Sequence, residues 1–307
     1  MKLKASIFIP TKNAGKGFYR TLNQISKQKE KDFEVIIVDS GSKDNTLNIT
    51  EDFQRNLDLK IYKIFPEEFG HGKTRNLSLK YAKGEFIVFL TQDTIPYNDE
   101  WLSSLLENFK DEKVAGVFSK QIPNKNAREN EKFFYNFYFP NKKIIVNSDR
   151  LSLLNTMFFS NASSSIRKSI LIKYPFNESL IMCEDQEWAK KIVEKGYQKV
   201  YEPRSNVIHS HNYSLMKTFQ RYFDSSYSFN QILGKKDFIK YRDKAGPYLI
   251  EELKYIYKNN PLLLPRIVII DFIKMLATDL GKNHQIIPLS LKKRFSMHKY
   301  YWENNSH

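Results

Sequence analysis

The stretch Glu34-Val-Ile-Ile-Val-Asp39-Ser-Gly-Ser42 decides the fold. Its four consecutive β-branched residues show no polar alternation, the pattern of a strand buried on both faces in a parallel sheet covered by helices. A Ser-Gly-Ser turn closes the strand, and a helix starting at Asp44 puts Ile49, Phe53 and Leu57 on one face. Upstream, Ala5-Ser-Ile-Phe-Ile-Pro10 is a short apolar run stopped by proline, followed by Phe18, Leu22 and Ile25 at helical spacing. Downstream, a strand is expected from Leu59 to Phe65, then Gly70-His-Gly72 and a helix through Leu77 and Tyr81, then the strand Phe86-Ile-Val-Phe-Leu90. Strands alternating with helices define an α/β class with a Rossmann-like, mostly parallel central sheet flanked by helices.

Ligands of open α/β sheets collect at the carboxyl ends of the strands. The polar groups there are Pro10-Thr11-Lys12-Asn13, Asp39-Ser40-Gly41-Ser42 and Thr91-Gln92-Asp93. Further on come a helix carrying Trp101, Leu102, Leu105 and Phe109, a strand from Val114 to Phe118, and the aromatic run Phe133 to Phe139. The Ser/Asn stretch Ser160 to Ser165, the acids Glu184, Asp185 and Glu187 opening a helix, and Val207-Ile-His-Ser-His211 follow. From Ser214 the pattern is helical, basic and aromatic, an accessory region. The apolar stretch Leu262 to Ala277 is interrupted by Pro265, Arg266, Asp271 and Lys274, so it does not read as a membrane span. It leaves an interfacial helix or, the favoured reading, a packed one.

The chain has 307 residues, 41% hydrophobic and 27% charged, which fits one large α/β domain or two lobes and excludes disorder as the main state. Its single cysteine, Cys183, forms no internal disulfide and offers no thiolate cluster for zinc, so a reducing cytoplasm is expected. No signal-peptide pattern opens the sequence. Lys and Arg number 49 against 34 acids, a net charge of +15 that suits anionic partners such as nucleic acid, phosphorylated substrates or an anionic membrane surface. A nucleic-acid-binding protein is the distant alternative, since no zinc finger, RNA-recognition signature or basic helix-turn-helix is present.

The strings VIIVDSGSKDNT, FLTQD, CEDQEW and VIHSH follow one another as they do in family 2 glycosyltransferases with the GT-A fold, and residues 4 to 212 resemble that family. The resemblance implies a nucleotide-sugar site of Pro10, Thr11, Asn13, Asp39, Ser40, Gly41, Lys73, Arg75, Thr91, Gln92 and Asp93, with Asp39 at the pyrimidine. Asp93 matches the second acid of an Asp-any-Asp motif that holds Mg²⁺ or Mn²⁺ on the donor diphosphate, and His209, or alternatively His211, would complete the metal shell. The chain reads Thr91-Gln92-Asp93, so the first acid of that motif, which faces the ribose, is missing. Asp185 is the implied catalytic base of inverting transfer, taking the proton of a sugar hydroxyl too weakly acidic to attack unaided. Asn161, Glu184 and Trp188 fall on the acceptor side, with the aromatic run and the Ser/Asn stretch facing the acceptor.

Phe69-Gly-His-Gly-Lys-Thr-Arg-Asn76, Phe89 to Pro96 and His209 to Ser214, with Phe219, Arg221, Phe223 and Asp224, are similar to the bacterial rhamnosyltransferase branch. Lys73 replaces that branch's usual small residue. The resemblance implies transfer of one L-rhamnose from dTDP-L-rhamnose to a saccharide or lipid-linked acceptor in surface-polysaccharide synthesis. The alternative donor is a UDP-hexose or UDP-N-acetylhexosamine. The expected organisation is a catalytic domain over 1–213, split into a nucleotide-sugar half (1–95) and an acceptor half (96–213), and a helical, basic region over 214–307. A cytoplasmic enzyme in peripheral contact with the inner face of the membrane is expected. The sequence leaves the acceptor and the oligomeric state open.

Overall fold

The structure, a computed structural model, describes residues 3–148, 156–243 and 245–304. Two compact units divide the chain: the first comprises Met1–Asn124, Phe139–Glu178 and Glu184–His209, the second Lys125–Tyr138, Ser179–Cys183 and Ser210–His307.

The first unit is built on one sheet with strand order β3-β2-β1-β4-β8-β6-β9-β5. Here β1 is Ala5–Thr11, β2 Phe33–Asp39, β3 Leu59–Lys63, β4 Phe86–Leu90, β5 Ile95–Pro96, β6 Val114–Ile122, β8 Ser163–Arg167 and β9 Gln198–Ile208, while β7 (Ile144–Val146) pairs with β9. Strand β2 is buried along its whole length, as an unbroken β-branched run requires. It lies parallel between β1 and β3, and β4 extends the parallel half beyond β1. Helix α1 (Phe18–Ser26) buries Phe18, Leu22 and Ile25 against this half, α2 spans Thr46–Phe53, and α3 spans His71–Tyr81. Helix α4 (Trp101–Leu106) buries Trp101, Leu102 and Leu105.

Past β4 the sheet becomes mixed, because β8 runs antiparallel to both β4 and β6. This strand is the Ser/Asn stretch, and its serines are buried in the sheet rather than turned to an acceptor. Hydrogen bonding makes that tolerable. Trp101 Nε1 donates to Ser163 Oγ at 2.9 Å, Ser163 Oγ lies 2.6 Å from Ser119 Oγ, and Ser119 Oγ lies 2.8 Å from Ser205 Oγ. A strand of buried serines, with Ser163 and Ser164 internally bonded and Ser165 Oγ without a partner, carries little hydrophobic signature in sequence.

The second unit is helical, with α5 (Glu129–Tyr138), α8 (Leu215–Asp243, broken at Gly234), α9 (Ala245–Asn259), α10 (Leu264–Lys282), α11 (Leu289–Phe295) and α12 (Lys299–Asn304). Helices α6 (Lys168–Lys173) and α7 (Glu184–Glu194) belong to the first unit. The aromatic run forms α5, where Phe133 and Tyr135 are buried and Phe133 packs on Tyr248 and Tyr255. Those rings fill a helical core instead of facing an acceptor. A second small core joins Phe223, Ala277, Ile287 and Trp302. No helix among the described residues is long and apolar enough to cross a membrane.

Candidate active site

Two clusters of polar side chains lie at the carboxyl ends of β1, β2 and β4 and at the start of α7. The first is organised by Asp39. Its Oδ1 accepts the N–H groups of Gly41 (3.0 Å) and Ser42 (2.8 Å), and its Oδ2 accepts the hydroxyls of Thr11 (2.9 Å) and Ser42 (2.5 Å). A carboxylate offers about four acceptor positions. All are used inside the protein, so the buried Asp39 builds the turn rather than holding out an unused oxygen to a base. Gly41 sits at φ +87°, a conformation that favours glycine, and a Cβ there would meet Pro66 at 3.0 Å. Ser40 is buried, its N–H and hydroxyl both donating to the carbonyl of Thr11. Asn13, also at positive φ, donates its N–H to Ser42 Oγ and accepts the Lys43 N–H on Oδ1. Pro10 and Thr11 end β1 beside Val38 and Asp39.

Gln92 ties the end of β4 to the same loop. Its Oε1 accepts the Lys12 N–H at 2.8 Å and its Nε2 donates to the Lys12 carbonyl at 3.2 Å. The amide, donor and acceptor at once, makes a two-way clip on the β1 loop. Thr91 bonds Ala162 O through its N–H and lies 2.6 Å from Thr94 through its hydroxyl.

Asp93, nearly half exposed, points Oδ1 towards His209 Nε2 at 3.7 Å. His209 ends the first unit just past β9 and is buried. Its Nδ1 lies 2.7 Å from Gln121 Oε1, while Gln121 Nε2 donates to Ser160 Oγ. With that amide orientation Gln121 accepts the Nδ1 proton and leaves Nε2 as the lone-pair nitrogen facing Asp93. Two ligand atoms each about 2.1 Å from one ion are at most about 4.2 Å apart, so this oxygen and nitrogen can share a divalent cation with little movement. The donor set therefore fits Mg²⁺ or Mn²⁺. His211 belongs to the second unit, where its ring stacks on Tyr213 at 4.7 Å. Gln121 was not anticipated: it closes the polar run Ser119-Lys120-Gln121 near the end of β6, and nothing in that run marks it as a partner of His209.

The second cluster surrounds the acids that open α7. Asp185 is only partly covered from solvent, and its Oδ2 accepts the Asn161 N–H and its Oδ1 the Gln186 N–H, each at 2.9 Å. Burial first, and the neighbouring Glu184 charge second, push its carboxyl up to about 7 against the opposing pull of those N–H groups and Arg75. Glu184 is buried and takes Arg75 at 2.9 Å and Asn161 Nδ2 at 3.3 Å on Oε1. Lys199 is fully buried, with Nζ donating to Phe158 O at 2.6 Å. Burial holds its ammonium well below the usual lysine range, and the Asp185 charge pulls the other way. Lys199 was not anticipated either, because a lysine at the second position of β9 gives no sign in sequence that it turns inward.

Several expected contacts are corrected. Arg75 is buried and pairs with Glu184, with Nδ1 of His71 3.2 Å from its guanidinium, rather than standing open to a diphosphate. Asn161 is buried too, its N–H and amide going to Asp185 and Glu184 and its Oδ1 to Ser164, so it organises the acid pair instead of lining an acceptor surface. Trp188 has no exposed surface. Its indole donates to Tyr174 O and packs against Phe159 and Phe176, a core position three residues after Asp185. Lys73 stands exposed on the first turn of α3.

A parallel half-sheet with polar strand ends, continued by a mixed half that carries an acid pair, is the GT-A fold of a glycosyltransferase. Residues 6–174 match the model of glycosyl transferase family 2, and the chain belongs to that family. It is 34% identical over 307 residues to the O-antigen chain rhamnosyltransferase RfbN of Salmonella typhimurium, covering 98% of this chain and 97% of that one. It is likewise 34% identical over 306 residues to the O-antigen chain rhamnosyltransferase WbaN of Salmonella anatum, covering 97% and 96%. Among solved structures, the mannosyltransferase PcManGT from Pyrobaculum calidifontis, in complex with GDP-Man and Mn²⁺, superposes with a TM-score of 0.60 at 18% identity, over 99% of this chain and 86% of that one. That likeness is one of fold.

Proposed function

We propose that this glycosyltransferase moves one L-rhamnose from dTDP-L-rhamnose to a saccharide or lipid-linked acceptor of a surface polysaccharide, with inversion at the anomeric carbon. The observation that carries the reading is the near-complete, end-to-end likeness to two proteins named as O-antigen chain rhamnosyltransferases. In this reading the Thr11–Asp39–Ser42 turn and the Gln92 clip shape the nucleotide pocket. Asp185 takes the proton of the acceptor hydroxyl as its oxygen bonds to the anomeric carbon, and the bond from that carbon to the diphosphate breaks, releasing dTDP. A carboxyl raised to about 7 suits such a base near neutral pH. Mg²⁺ or Mn²⁺ at Asp93 and His209 would offset charge on the leaving diphosphate. Catalysis is assigned to 1–213, with 1–95 as the nucleotide-sugar half and 96–213 as the acceptor half, and 214–307 is an accessory region. The setting is cytoplasmic, at the inner face of the membrane.

Calorimetric titration with dTDP and UDP, followed by turnover of dTDP-rhamnose and UDP-sugars, tests the donor. Tighter dTDP binding and release of dTDP from dTDP-rhamnose are expected. Preference for UDP and a UDP-hexose or UDP-N-acetylhexosamine would establish the alternative donor.

A further inference from the structure

Helix α10 carries an apolar stripe on its solvent side in addition to the apolar residues it packs. Val268, Ile269, Phe272, Met275 and Leu276 recur at i, i+1, i+4, i+7 and i+8, and each is between 43% and 64% exposed. The opposite face buries Ile267, Ile270 and Ala277, but also an ion pair, Lys274 Nζ to Asp271 Oδ1 at 2.8 Å, with the buried Glu252 3.9 Å from the same Lys274. A surface helix ordinarily turns charged and polar residues, not an apolar stripe, to its outer face. Leu262, 89% exposed, lies in the short turn just before the helix.

The surroundings are cationic. Residues 245–304 contain nine Lys and Arg against five acids, and two of those acids are the buried Glu252 and Asp271. At the N-terminal end of α10, Arg128, Arg266, Asn130 and Asn260 line an open cleft of about 170 Å³, together with Glu129, which is paired with Lys132. An apolar stripe about two and a half turns long beside the exposed Arg266 is the chemistry of a helix lying in the headgroup region of an anionic bilayer.

We propose that the exposed face of α10 docks on an anionic lipid surface, with Phe272 and Leu276 entering the acyl boundary and Arg266 meeting headgroup phosphates. This deepens, and rests on, the reading of an enzyme that works at the inner face of the membrane.

The full chain is sedimented with phosphatidylglycerol-containing vesicles and with pure phosphatidylcholine vesicles, at low and high salt. The wild type should bind the anionic vesicles at low salt at least tenfold more tightly than the neutral ones. Phe272→Ser combined with Leu276→Ser should lower that binding at least tenfold, and Arg266→Glu should lower it severalfold while leaving thermal stability near that of the wild type. Absence of wild-type binding, or equal binding by the double variant, overturns the proposal. So does a wild-type dimer, seen by light scattering, that the double variant converts to monomer, since a second copy would then cover the stripe. Nucleotide affinity measured without vesicles reads the donor proposal separately, so failure of one is distinguishable from failure of the other.

Discussion

Arg75 places a guanidinium nitrogen 2.9 Å from Glu184 Oε1, while the adjacent Asp185 takes peptide N–H groups from Asn161 and Gln186. Two neighbouring carboxylates thus stand in different surroundings: one is matched by a buried cation, the other is left partly open at the start of α7. Environments that separate two acids assign them separate tasks. Glu184 is the anchor and Asp185 the acid with a proton to exchange.

The Gln121–His209 contact predicts a metal phenotype without loss of fold. Gln121→Leu keeps much of the volume but removes the acceptor that fixes His209 Nδ1–H, and such supporting partners are typically worth 10–100-fold in metal affinity. Mn²⁺ affinity measured by electron paramagnetic resonance should fall in that range, with transfer recovering at high Mn²⁺. An unchanged Mn²⁺ affinity would reject the Asp93–His209 assignment.

Asp39 predicts a coupled loss. Asp39→Ala removes four hydrogen bonds at once and leaves the Gly41 and Ser42 N–H groups to find other partners, at a cost of about 1–3 kcal/mol for each that stays buried and unmet. Both melting temperature and dTDP affinity should drop, because the carboxylate acts through the turn it holds. A variant with weakened nucleotide binding and an unchanged melting temperature would instead return Asp39 to direct contact with the base.

The parallel half was legible because its signals are local: an all-β-branched β2, helical spacing of Phe18, Leu22 and Ile25, and glycine where the backbone demands it. Asp39, Asp93 and His209 are marked by the strand ends they follow, and Asp185 by the acidic opening of a helix together with the family resemblance. What escaped depends on which side chain meets which across the fold. Ser163 to Ser165 form a central strand of buried serines rather than apolar faces, Gln121 and Lys199 turn inward next to strand ends, and Asn161 and Arg75 serve the acids. Trp188 shows the converse. It lies in a motif, yet its helical position three residues after Asp185 turns it into the core.

Asp224 predicts how stability varies with pH. It is buried, accepts the Met297 N–H on Oδ2 at 2.8 Å, and has Oδ1 without a partner, and burial pushes its carboxyl up to about 7. In the unfolded chain the same group titrates near 3.9. Between these values the folded state keeps a proton that the unfolded state has lost, so the contribution is full below about 4 and fades as pH rises through about 7. Asp224→Asn removes this group's part of the slope. Between pH 5.5 and 8.5 the wild type should lose roughly 2–6 °C more in melting temperature than the variant, for a difference of one to two kcal/mol. Parallel curves would show that Asp224 is charged throughout.

The acid pair predicts opposite behaviour for its two members. Asp185→Asn keeps the volume and an oxygen to accept the Asn161 N–H, so donor and metal binding should persist while transfer falls by about 10²–10⁴-fold, the range for losing a positioned general base. The wild-type rate under saturating donor should rise with pH and level off above about 7 as Asp185 loses its proton, and that limb should be absent from the residual activity of the variant. Glu184→Gln removes the charge that Arg75 is matched to and with it the repulsion that helps raise Asp185. Its effect should appear as a midpoint of the pH profile moved to lower pH, together with lower thermal stability, since the buried guanidinium loses its partner. A large rate loss in Glu184→Gln beside a near-normal Asp185→Asn would reverse the two roles. Near-normal rates in both would remove the carboxylate base from this motif altogether.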